Sequence, residues 1–430
     1  MTRFLLRGGR ILVPAGEHDA VADLLIDAGR VVARGAKLRV DDATVIDAAG
    51  CWVAPGFVDL HSHLREPGQE YKEDIATGGR AAAAGGFTAV ACMANTQPVN
   101  DDPAMTDFII DRAEHDSPVR VYPVAAATKG LEGKVMTEMA ALVAAGARAF
   151  SDDGKTIMDS GVMRRVLEYS RLVEAPVITH AEDRTLVAGG VINEGAVSTR
   201  LGLPGNPAIA EEIHISRDLM LARLTGAHLH VAHVSTRGGV EQIRAARERG
   251  VHVTAEVAPH HLTLTDEAAL EFDTNAKVAP PLRSADDRDA CRAGLADGTI
   301  DAIATDHAPH ALHEKELDFR EAPPGMIGFE TAVAVTLELV RAGEIAPLEW
   351  VRRLSTSPAR ILRVVGGTLA RDAVADVTIV DPERVWTYDP AKGHSKSGNS
   401  PWAGRTLTGR VTHTIVGGRI VYDVERGILT

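Results

Sequence analysis

The chain has little cysteine, no excess of basic residues and no long hydrophobic run. Its three cysteines, Cys51, Cys92 and Cys291, lie far apart among 430 residues, so they form neither a disulfide framework nor a zinc motif. Acidic residues outnumber lysine and arginine by 59 to 46, for a net charge of −13, which leaves no overall basic field for nucleic acid or an anionic membrane. The longest small apolar stretch, residues 81–94, is shorter than the roughly 20 residues that a bilayer requires. The N-terminal apolar run is too short for a signal peptide, and we expect a cytoplasmic, globular protein.

Eight short apolar segments alternate with segments of helical periodicity through the middle of the chain. Residues 160–174 and 210–226, for example, carry apolar side chains at i, i+3 and i+4. The number of alternations predicts a (β/α)8 barrel over residues 56–365 rather than an open doubly wound sheet. The predicted strands are residues 56–61, 87–93, 119–125, 147–151, 176–180, 228–234, 251–257 and 300–306.

The two ends of the chain have a different pattern. Residues 1–55 and 366–430 contain short β-branched segments and turns, with almost no helical period. Neither end has enough strands to bury a core alone. We therefore expect both ends to pair as one small β domain beside the barrel. Residues 392–404, rich in Ser, Gly and Lys, predict a surface loop.

Histidine and aspartate residues stand at the ends of the predicted strands, where a barrel places its active site. His61 and His63 end the first strand in D-L-H-S-H, and residues at i and i+2 of a strand point to the same face. Four histidines and two carboxylates are enough for two metal ions with one carboxylate bridging. Nitrogen and oxygen ligands without thiolate suit Zn²⁺, with Mn²⁺ or Co²⁺ as competitors. The other residues at strand ends are Asp152, Asp153, His180, His233 and Asp306.

Two motifs resemble signatures of the dihydroorotases of the amidohydrolase superfamily, in their longer bacterial type. They are D-L-H-S-H-L-R-E-P-G at 59–68 and A-T-D-H-A-P-H at 304–310. The resemblance covers nearly the whole chain. It implies a TIM-type barrel of the amidohydrolase kind with a small composite β-sandwich domain from both chain ends. It also implies reversible interconversion of N-carbamoyl-aspartate and dihydroorotate in pyrimidine biosynthesis.

The same resemblance implies a ligand set for two zinc ions per subunit. Asp153 would bridge the ions, at a position where many amidohydrolases have a carboxylated lysine. Lys155, two residues further on, is the alternative bridge. Asp306 would also serve as the general acid and base. The first ion would be held by His61, His63 and Asp306, and the second by His180 and His233.

A substrate-binding set follows from the residues next to these motifs. Arg65 is well suited to bidentate recognition of a carboxylate, the alternative being an ion pair with Glu66 or Glu73. Asn95 could reach the same carboxylate or form a turn. By resemblance, the substrate-binding set is His63, Arg65, Asn95, Ala279, His310, Pro324 and Gly325. Pro324-Gly325 has a plain turn as its alternative. His307 is expected to support a neighbouring residue or the fold and is not assigned to the substrate.

Ala279 departs from the family pattern, which commonly has Asn just before Pro-Pro-Leu-Arg. Either the main chain of Ala279 makes the substrate contact, or Asn275 compensates.

Two other functions remain open. A dihydropyrimidinase, hydantoinase or allantoinase would share the fold and metals, but a neutral ring does not require Arg65, and these relatives usually have the bridging lysine. A catalytically silent scaffold for aspartate transcarbamoylase would have lost ligands, whereas six are present. We expect a homo-oligomer with a small-molecule substrate. A complex with the transcarbamoylase, the number of metals bound and the motion of residues 307–328 stay open.

Overall fold

The computed structural model describes residues 3–429 of the chain. In chain order its strands are β1 (Phe4–Val13), β2 (His18–Asp27), β3 (Arg30–Gly35), β4 (Thr44–Asp47), β5 (Trp52–Pro55), β6 (Phe57–Ser62), β7 (Phe87–Cys92), β8 (Arg120–Ala125), β9 (Ala149–Phe150), β10 (Val177–Thr179), β11 (Ile192–Asn193), β12 (Gly205–Asn206), β13 (Leu229–Val231), β14 (Val253–Val257), β15 (Ala302–Ile303), β16 (Val377–Thr387), β17 (Thr406–Val416), β18 (Arg419–Asp423) and β19 (Gly427–Ile428).

The α-helices of the same residues lie mostly between the central strands. They are α1 (Ile75–Ala84), α2 (Pro103–Asp116), α3 (Met139–Ala144), α4 (Ser160–Leu172), α5 (Arg184–Val187), α6 (Ala196–Leu201), α7 (Ile209–Thr225), α8 (Arg237–Glu248), α9 (Pro259–Thr263), α10 (Ala285–Asp297), α11 (Leu312–Lys315), α12 (Ala332–Arg341), α13 (Pro347–Val351) and α14 (Ser357–Leu362). Within residues 3–429, none of the helices combines the length and apolar character that crossing a bilayer requires.

Eight parallel strands form the central barrel. Their order in the sheet is β6-β7-β8-β9-β10-β13-β14-β15, so sheet neighbours are also successive barrel strands in the chain. A parallel bridge between Ser62 and His307 joins the two edges and nearly closes the barrel. Each of the eight strands falls within, or overlaps, one predicted from the sequence. The predicted (β/α)8 fold is therefore confirmed.

The first barrel strand shows how the sequence positions the site. Val58 and Leu60 pack inside the barrel, whereas Phe57 packs against the outer layer. The pairing of β6 with β7 shifts register between Asp59 and Ser62. Such an irregularity re-aims side chains at a strand end, and His61 accordingly faces the barrel mouth although its neighbour Leu60 lies inside.

Both ends of the chain contribute to a second sheet. Its strand order is β19-β18-β17-β16-β5-β1-β2-β3, and β4 also pairs with β1. The two ends meet where β16 runs antiparallel to β5, with Val377 opposite Pro55 and Ile379 opposite Val53. The predicted pairing of the chain ends is confirmed, while the boundaries of the two domains stay predictions.

The segment 392–404 is only in part the surface loop that its composition predicts: Lys392, Lys396, Gly398, Ala403 and Gly404 are exposed, but other residues are not. Ser397, Asn399, Ser400 and Trp402 are buried. The Asn399 side chain bonds main-chain groups of the loops that follow the last barrel strand. Small polar residues are common in exposed loops, but here they satisfy buried backbone groups.

Candidate active site

Four histidines surround the carboxylate of Asp153 at the barrel mouth. Asp153 Oδ1 lies 3.4 Å from His61 Nε2, 3.5 Å from His180 Nδ1 and 3.7 Å from His233 Nε2. Asp153 Oδ2 lies 3.6 Å from His63 Nε2. The structure thus brings residues that follow four different barrel strands together with His61, which lies within β6.

Asp306 completes this cluster from the end of β15. Its Oδ1 lies 3.2 Å from His63 Nε2 and 3.6 Å from His61 Nε2. His61 belongs to two groups of three residues that could each hold a metal ion, because their ligand atoms lie within 4.8 Å of one another. The first group adds Asp153 and His233, and the second adds His63 and Asp306. His180 lies beside the first group, with its Nδ1 3.0 Å from His233 Nε2.

The donor atoms of this cluster fit a metal ion. Among the described residues, His61 Nε2 and Asp153 Oδ1 are buried without a hydrogen-bond partner. Buried polar atoms are almost always paired, because an unpaired one carries the full cost of desolvation. A divalent cation between the two atoms would satisfy both.

The charges of the cluster point to the same conclusion. Burial disfavours the charged form of His61, but the facing carboxylates, Asp153 first, raise its pKa well above the ordinary value. Burial likewise opposes ionisation of Asp153, but the imidazoles hold its pKa well below the ordinary value. The same balance, with His63 and His61 as the main partners, lowers the pKa of Asp306. The cluster therefore stabilises positive charge between its two carboxylates. When the imidazoles are neutral, a metal ion would supply that charge.

A cavity of about 400 Å³ opens beside the cluster. Its size suits a small molecule rather than a polymer. His61 is fully buried and does not line the cavity. All seven residues predicted to bind substrate line its wall: His63, Arg65, Asn95, Ala279, His310, Pro324 and Gly325.

Arg65 is a buried cation on this wall. Its Nε donates to Pro309 O at 3.2 Å, and its Nη2 lies 3.4 Å from His310 Nε2. Within residues 3–429, no carboxylate oxygen lies within 4.0 Å of the guanidinium, so the alternative ion pair with Glu66 or Glu73 is wrong. An unpaired buried charge is costly, and an anionic ligand in the cavity would offset that cost.

Comparison with known proteins places the chain in a family. Residues 50–239 match a family described as Dihydro-orotase-like. A dihydroorotase of Anaeromyxobacter dehalogenans is 54% identical over 421 residues, 97% of each chain, and one of Syntrophus aciditrophicus is 51% identical over 425 residues, 98% of this chain and 100% of that one. The chain belongs to the dihydroorotase family. It is thus an enzyme, a hydrolase that acts on cyclic amides.

Solved structures of related enzymes share the fold. An L-hydantoinase from Arthrobacter aurescens superposes with a TM-score of 0.91 at 26% identity, over 100% of this chain and 98% of that one. A dihydropyrimidinase from Brevibacillus agri superposes with a TM-score of 0.85 at 26% identity, over 98% and 95% of the two chains.

Asp152, Asp153 and Lys155 follow the fourth barrel strand, and their positions differ relative to the histidine cluster. Asp152 turns away from the cluster and accepts hydrogen bonds from Thr128 N, at 2.9 Å, and Thr128 Oγ1. Lys155 is exposed and does not line the cavity. Asp153 is therefore the only one of the three that faces the histidines, and the alternative bridge Lys155 is wrong.

Asn95 contacts a histidine of the cluster directly. Its Oδ1 accepts from His63 Nδ1 at 2.9 Å. With Nδ1 bonded to Asn95, His63 presents Nε2 to the carboxylates of Asp153 and Asp306. The amide nitrogen of Asn95 could then donate to a ligand.

His310 is held in one neutral form. Its Nε2 donates to Pro324 O at 3.0 Å, and its Nδ1 accepts from Lys72 Nζ at 3.4 Å. Burial, with the nearby charges of Arg65 and Lys72, lowers the pKa of His310.

The loop after α11 approaches the cavity through its main chain. Gly325 has a φ of 141°, and a Cβ there would lie 2.8 Å from Ala308 Cβ and 2.9 Å from Ala308 O. Only glycine fits such an approach. Ala279 also lines the cavity, whereas Asn275 does not, so compensation by the Asn275 side chain has no support in the geometry.

His307 has the structural role expected for it. Its ring stacks on Phe329 with centroids 4.1 Å apart, and its Nδ1 accepts from Gly328 N at 3.2 Å. Its Nε2 lies 3.4 Å from Glu73 Oε2.

Glu256 is a residue that sequence reasoning missed. Its Oε1 accepts from His61 Nδ1 at 2.8 Å and its Oε2 from His230 Nε2 at 3.1 Å. Burial opposes its ionisation, but these bonds lower the pKa of Glu256 to about 2. The bond to His61 fixes the tautomer that exposes Nε2 to a metal. A lone acidic residue in the apolar strand V-T-A-E-V was the available signal.

Glu182 and Lys72 were also missed. Glu182 Oε2 lies 3.7 Å from His180 Nε2, and Lys72 Nζ pairs with Glu314 Oε1 at 2.8 Å beside His310. Both belong to irregular segments whose sequence carries no periodicity, so no pattern marks them.

Backbone strain concentrates at this site. Arg65, His233 and Asp306 have φ values of 63°, 31° and 47°, in the left-handed region that non-glycine residues rarely adopt. Strained residues of this kind cluster at functional sites, where surrounding structure enforces them.

Proposed function

We propose that the protein catalyses the reversible interconversion of N-carbamoyl-L-aspartate and (S)-dihydroorotate plus water in pyrimidine biosynthesis. The observation that carries this choice is Arg65, a buried guanidinium on the cavity wall with no carboxylate partner among the described residues. Dihydroorotate carries a ring carboxylate that a guanidinium binds in bidentate fashion. A neutral hydantoin or dihydrouracil ring has no such group.

The metal centre would hold two zinc ions per subunit. His61, His63 and Asp306 would bind one ion, His180 and His233 the other, and Asp153 both. The position of Asp153 supports the bridge, because each of the four imidazoles lies 3.4–3.7 Å from one of its oxygens. When bound, such ions lower the pKa of a water molecule and polarise a carbonyl group.

Asp306 would move the proton of the reaction. Its Oδ1 faces His63 and His61, which leaves Oδ2 for the cavity that Asp306 lines. In hydrolysis, Oδ2 accepts the proton of the attacking water and delivers it to the ring nitrogen as the amide bond breaks. In ring closure the same proton moves in the opposite direction.

The other cavity residues would orient the ring. Asn95 would donate to the substrate carboxylate beside Arg65, and His310 would hold the same end of the substrate. The main chain at Ala279, Pro324 and Gly325 would contact the ring amide, since all three line the cavity.

One experiment tests this function. Purified protein is assayed with dihydroorotate, hydantoin and dihydrouracil, and zinc is quantified on the same sample. We expect turnover of dihydroorotate with about two zinc ions per chain. Turnover of hydantoin or dihydrouracil without dihydroorotate would refute the substrate assignment, and full-length protein that binds no zinc would support the silent scaffold instead.

The quaternary structure is part of the proposal. We expect a homo-oligomer, and light scattering of the protein alone and mixed with aspartate transcarbamoylase tests both the oligomer and the complex.

A further inference from the structure

The segment 395–400, which follows β16 in the composite sheet, lies against the loop that follows the first barrel strand. The Ser395 hydroxyl donates to Glu73, and Lys396 N donates to Glu73 Oε1 at 3.2 Å. Ser397 Oγ donates to Lys72 O at 2.7 Å. This segment is therefore anchored on the barrel over several consecutive residues.

Asn399 extends these contacts to the cavity wall. Its Nδ2 donates to Ala308 O at 3.1 Å and to Gly325 O at 3.0 Å, and its Oδ1 accepts from His310 N at 3.1 Å. Its main-chain oxygen accepts from Ile327 N at 3.0 Å. The residue is 4% exposed. One buried amide thus joins the loop after β15 to the loop after α11.

These two loops carry the substrate-facing groups on one side of the cavity, including His310, Pro324 and Gly325. The loops also meet through Ala308 N, which donates to Met326 O at 2.9 Å, and through the bond from His310 to Pro324 O. Asn399, which lies outside the barrel loops, bonds both of them. Removal of its side chain would leave a buried donor and two buried acceptors without this partner.

We propose that Asn399 is a positioning residue for substrate binding, which holds His310 and the Pro324–Gly325 main chain at the distance that the substrate requires. The proposal rests on the proposed function, because it takes the carboxylate-bearing ring as the ligand of this wall. Asn399 touches no substrate itself and acts through the two loops. The effect of its loss is therefore expected mainly in KM, because the predicted metal ligands other than Asp306 belong to other segments. Asp306 itself precedes the first main-chain group that Asn399 binds, the carbonyl of Ala308, by two residues.

The test compares Asn399→Ala and Asn399→Asp with Ser400→Ala. Ser400 is a matched control, since it is equally buried in the same segment and its hydroxyl accepts only from Trp402 N, at 3.4 Å, among the contacts of the described chain. Asn399→Asp keeps the side-chain volume and the acceptor for His310 N but loses the donor to both carbonyl groups, so it serves where the alanine variant does not fold. The measurements are kcat and KM for dihydroorotate, zinc content, and hydrogen–deuterium exchange of residues 306–328.

We expect both Asn399 variants to raise KM about 10- to 100-fold, the range for loss of a buried hydrogen-bonded group, with a smaller change in kcat and full zinc content. Exchange in residues 306–328 should rise in the alanine variant and stay at the wild-type level in Ser400→Ala. Unchanged KM and exchange, or equal effects in Ser400→Ala, would overturn the proposal. If the wild type does not turn over dihydroorotate, the proposed function fails, and the exchange measurement alone still decides whether Asn399 holds the loops.

Discussion

Glu256 accepts a hydrogen bond from Nδ1 of His61, and Nε2 of the same ring faces Asp153. The first bond measures 2.8 Å, and Nε2 lies 3.4 Å from the Asp153 carboxylate. The His61 ring is thereby oriented before any metal ion arrives, and its donor hydrogen is committed to the side that faces away from the cluster.

Glu256→Gln is expected to weaken metal binding about 10- to 100-fold, because an outer partner that orients a ligating histidine contributes about that much to affinity. The measurement is zinc content after equilibration with a competing chelator. Glu211→Gln is the matched control: that buried carboxylate bonds Ser235 and Thr236 rather than a histidine of the cluster. Equal zinc retention in the two variants would contradict the role given to Glu256.

Asp306→Asn is expected to lower kcat for dihydroorotate by roughly 10²- to 10⁴-fold, the range for loss of a general acid–base group. An amide cannot take the proton of the attacking water. Since Asp306 is also a predicted ligand, the rate is expressed per zinc bound in the same sample. A full rate per bound zinc would refute the proton-transfer role.

Arg65→Lys is expected to raise KM for dihydroorotate about 10- to 100-fold, because an ammonium group does not reproduce the bidentate fork of a guanidinium. Steady-state kinetics check this expectation. Arg112→Lys is the control. Arg112 Nε lies 2.9 Å from Glu66 Oε1 in a partly exposed ion pair, and Arg112 does not line the cavity. A KM unchanged by Arg65→Lys would remove the main support for the substrate assignment.

Glu330 gives a pH-dependent prediction that does not involve the metal cluster. Burial raises its pKa to about 7, against the opposing effect of hydrogen bonds from the main chain of His394 and Ser395. The folded protein therefore retains a proton that the unfolded chain releases above about pH 4.3. The free energy of unfolding is expected to fall as the pH rises from that value to about 7, by at most about 4 kcal/mol, and the contribution is fully lost above pH 7.

Glu330→Gln removes this proton equilibrium. Denaturant unfolding at pH 5 and pH 8 should show the variant gaining stability relative to the wild type at the higher pH. Glu338→Gln, at an exposed position of the helix α12 that begins two residues after Glu330, should keep the wild-type dependence. Parallel pH curves for the wild type and Glu330→Gln would contradict the buried proton.

The barrel and the ends of its strands could be predicted because both rest on local patterns. Apolar runs mark the strands, and His61, His180 and His233 stand where such runs stop. The positions of Arg65 and Asp153 followed from the same strand ends, with the family resemblance supplying their roles.

The site residues that could not be predicted from the sequence are those whose role depends on contacts between distant segments. Glu182 and Lys72 lie in irregular loops, and their partners are fixed by the tertiary fold. The segment 392–404 has the composition of an exposed loop, yet Asn399 is buried. Its amide donates hydrogen bonds to main-chain carbonyl groups that lie 74 and 91 residues away in the chain. Composition does not distinguish polar groups that bond water from those that bond a distant main chain.

The pairing of β5 with β16 also sets an order of assembly. Strands β1 to β5 pair with one another, but Val377 lies opposite Pro55, so one edge of β5 has no partner until more than three quarters of the chain has been synthesised. Until then β5 presents an open edge, which is a template for pairing with another chain. A protein shortened before β16 would keep all six predicted metal ligands in its sequence, yet it would lack the partner of β5 and the segment 395–400 that bonds the cavity loops. Premature termination late in synthesis is therefore expected to yield an aggregation-prone chain rather than a slower enzyme.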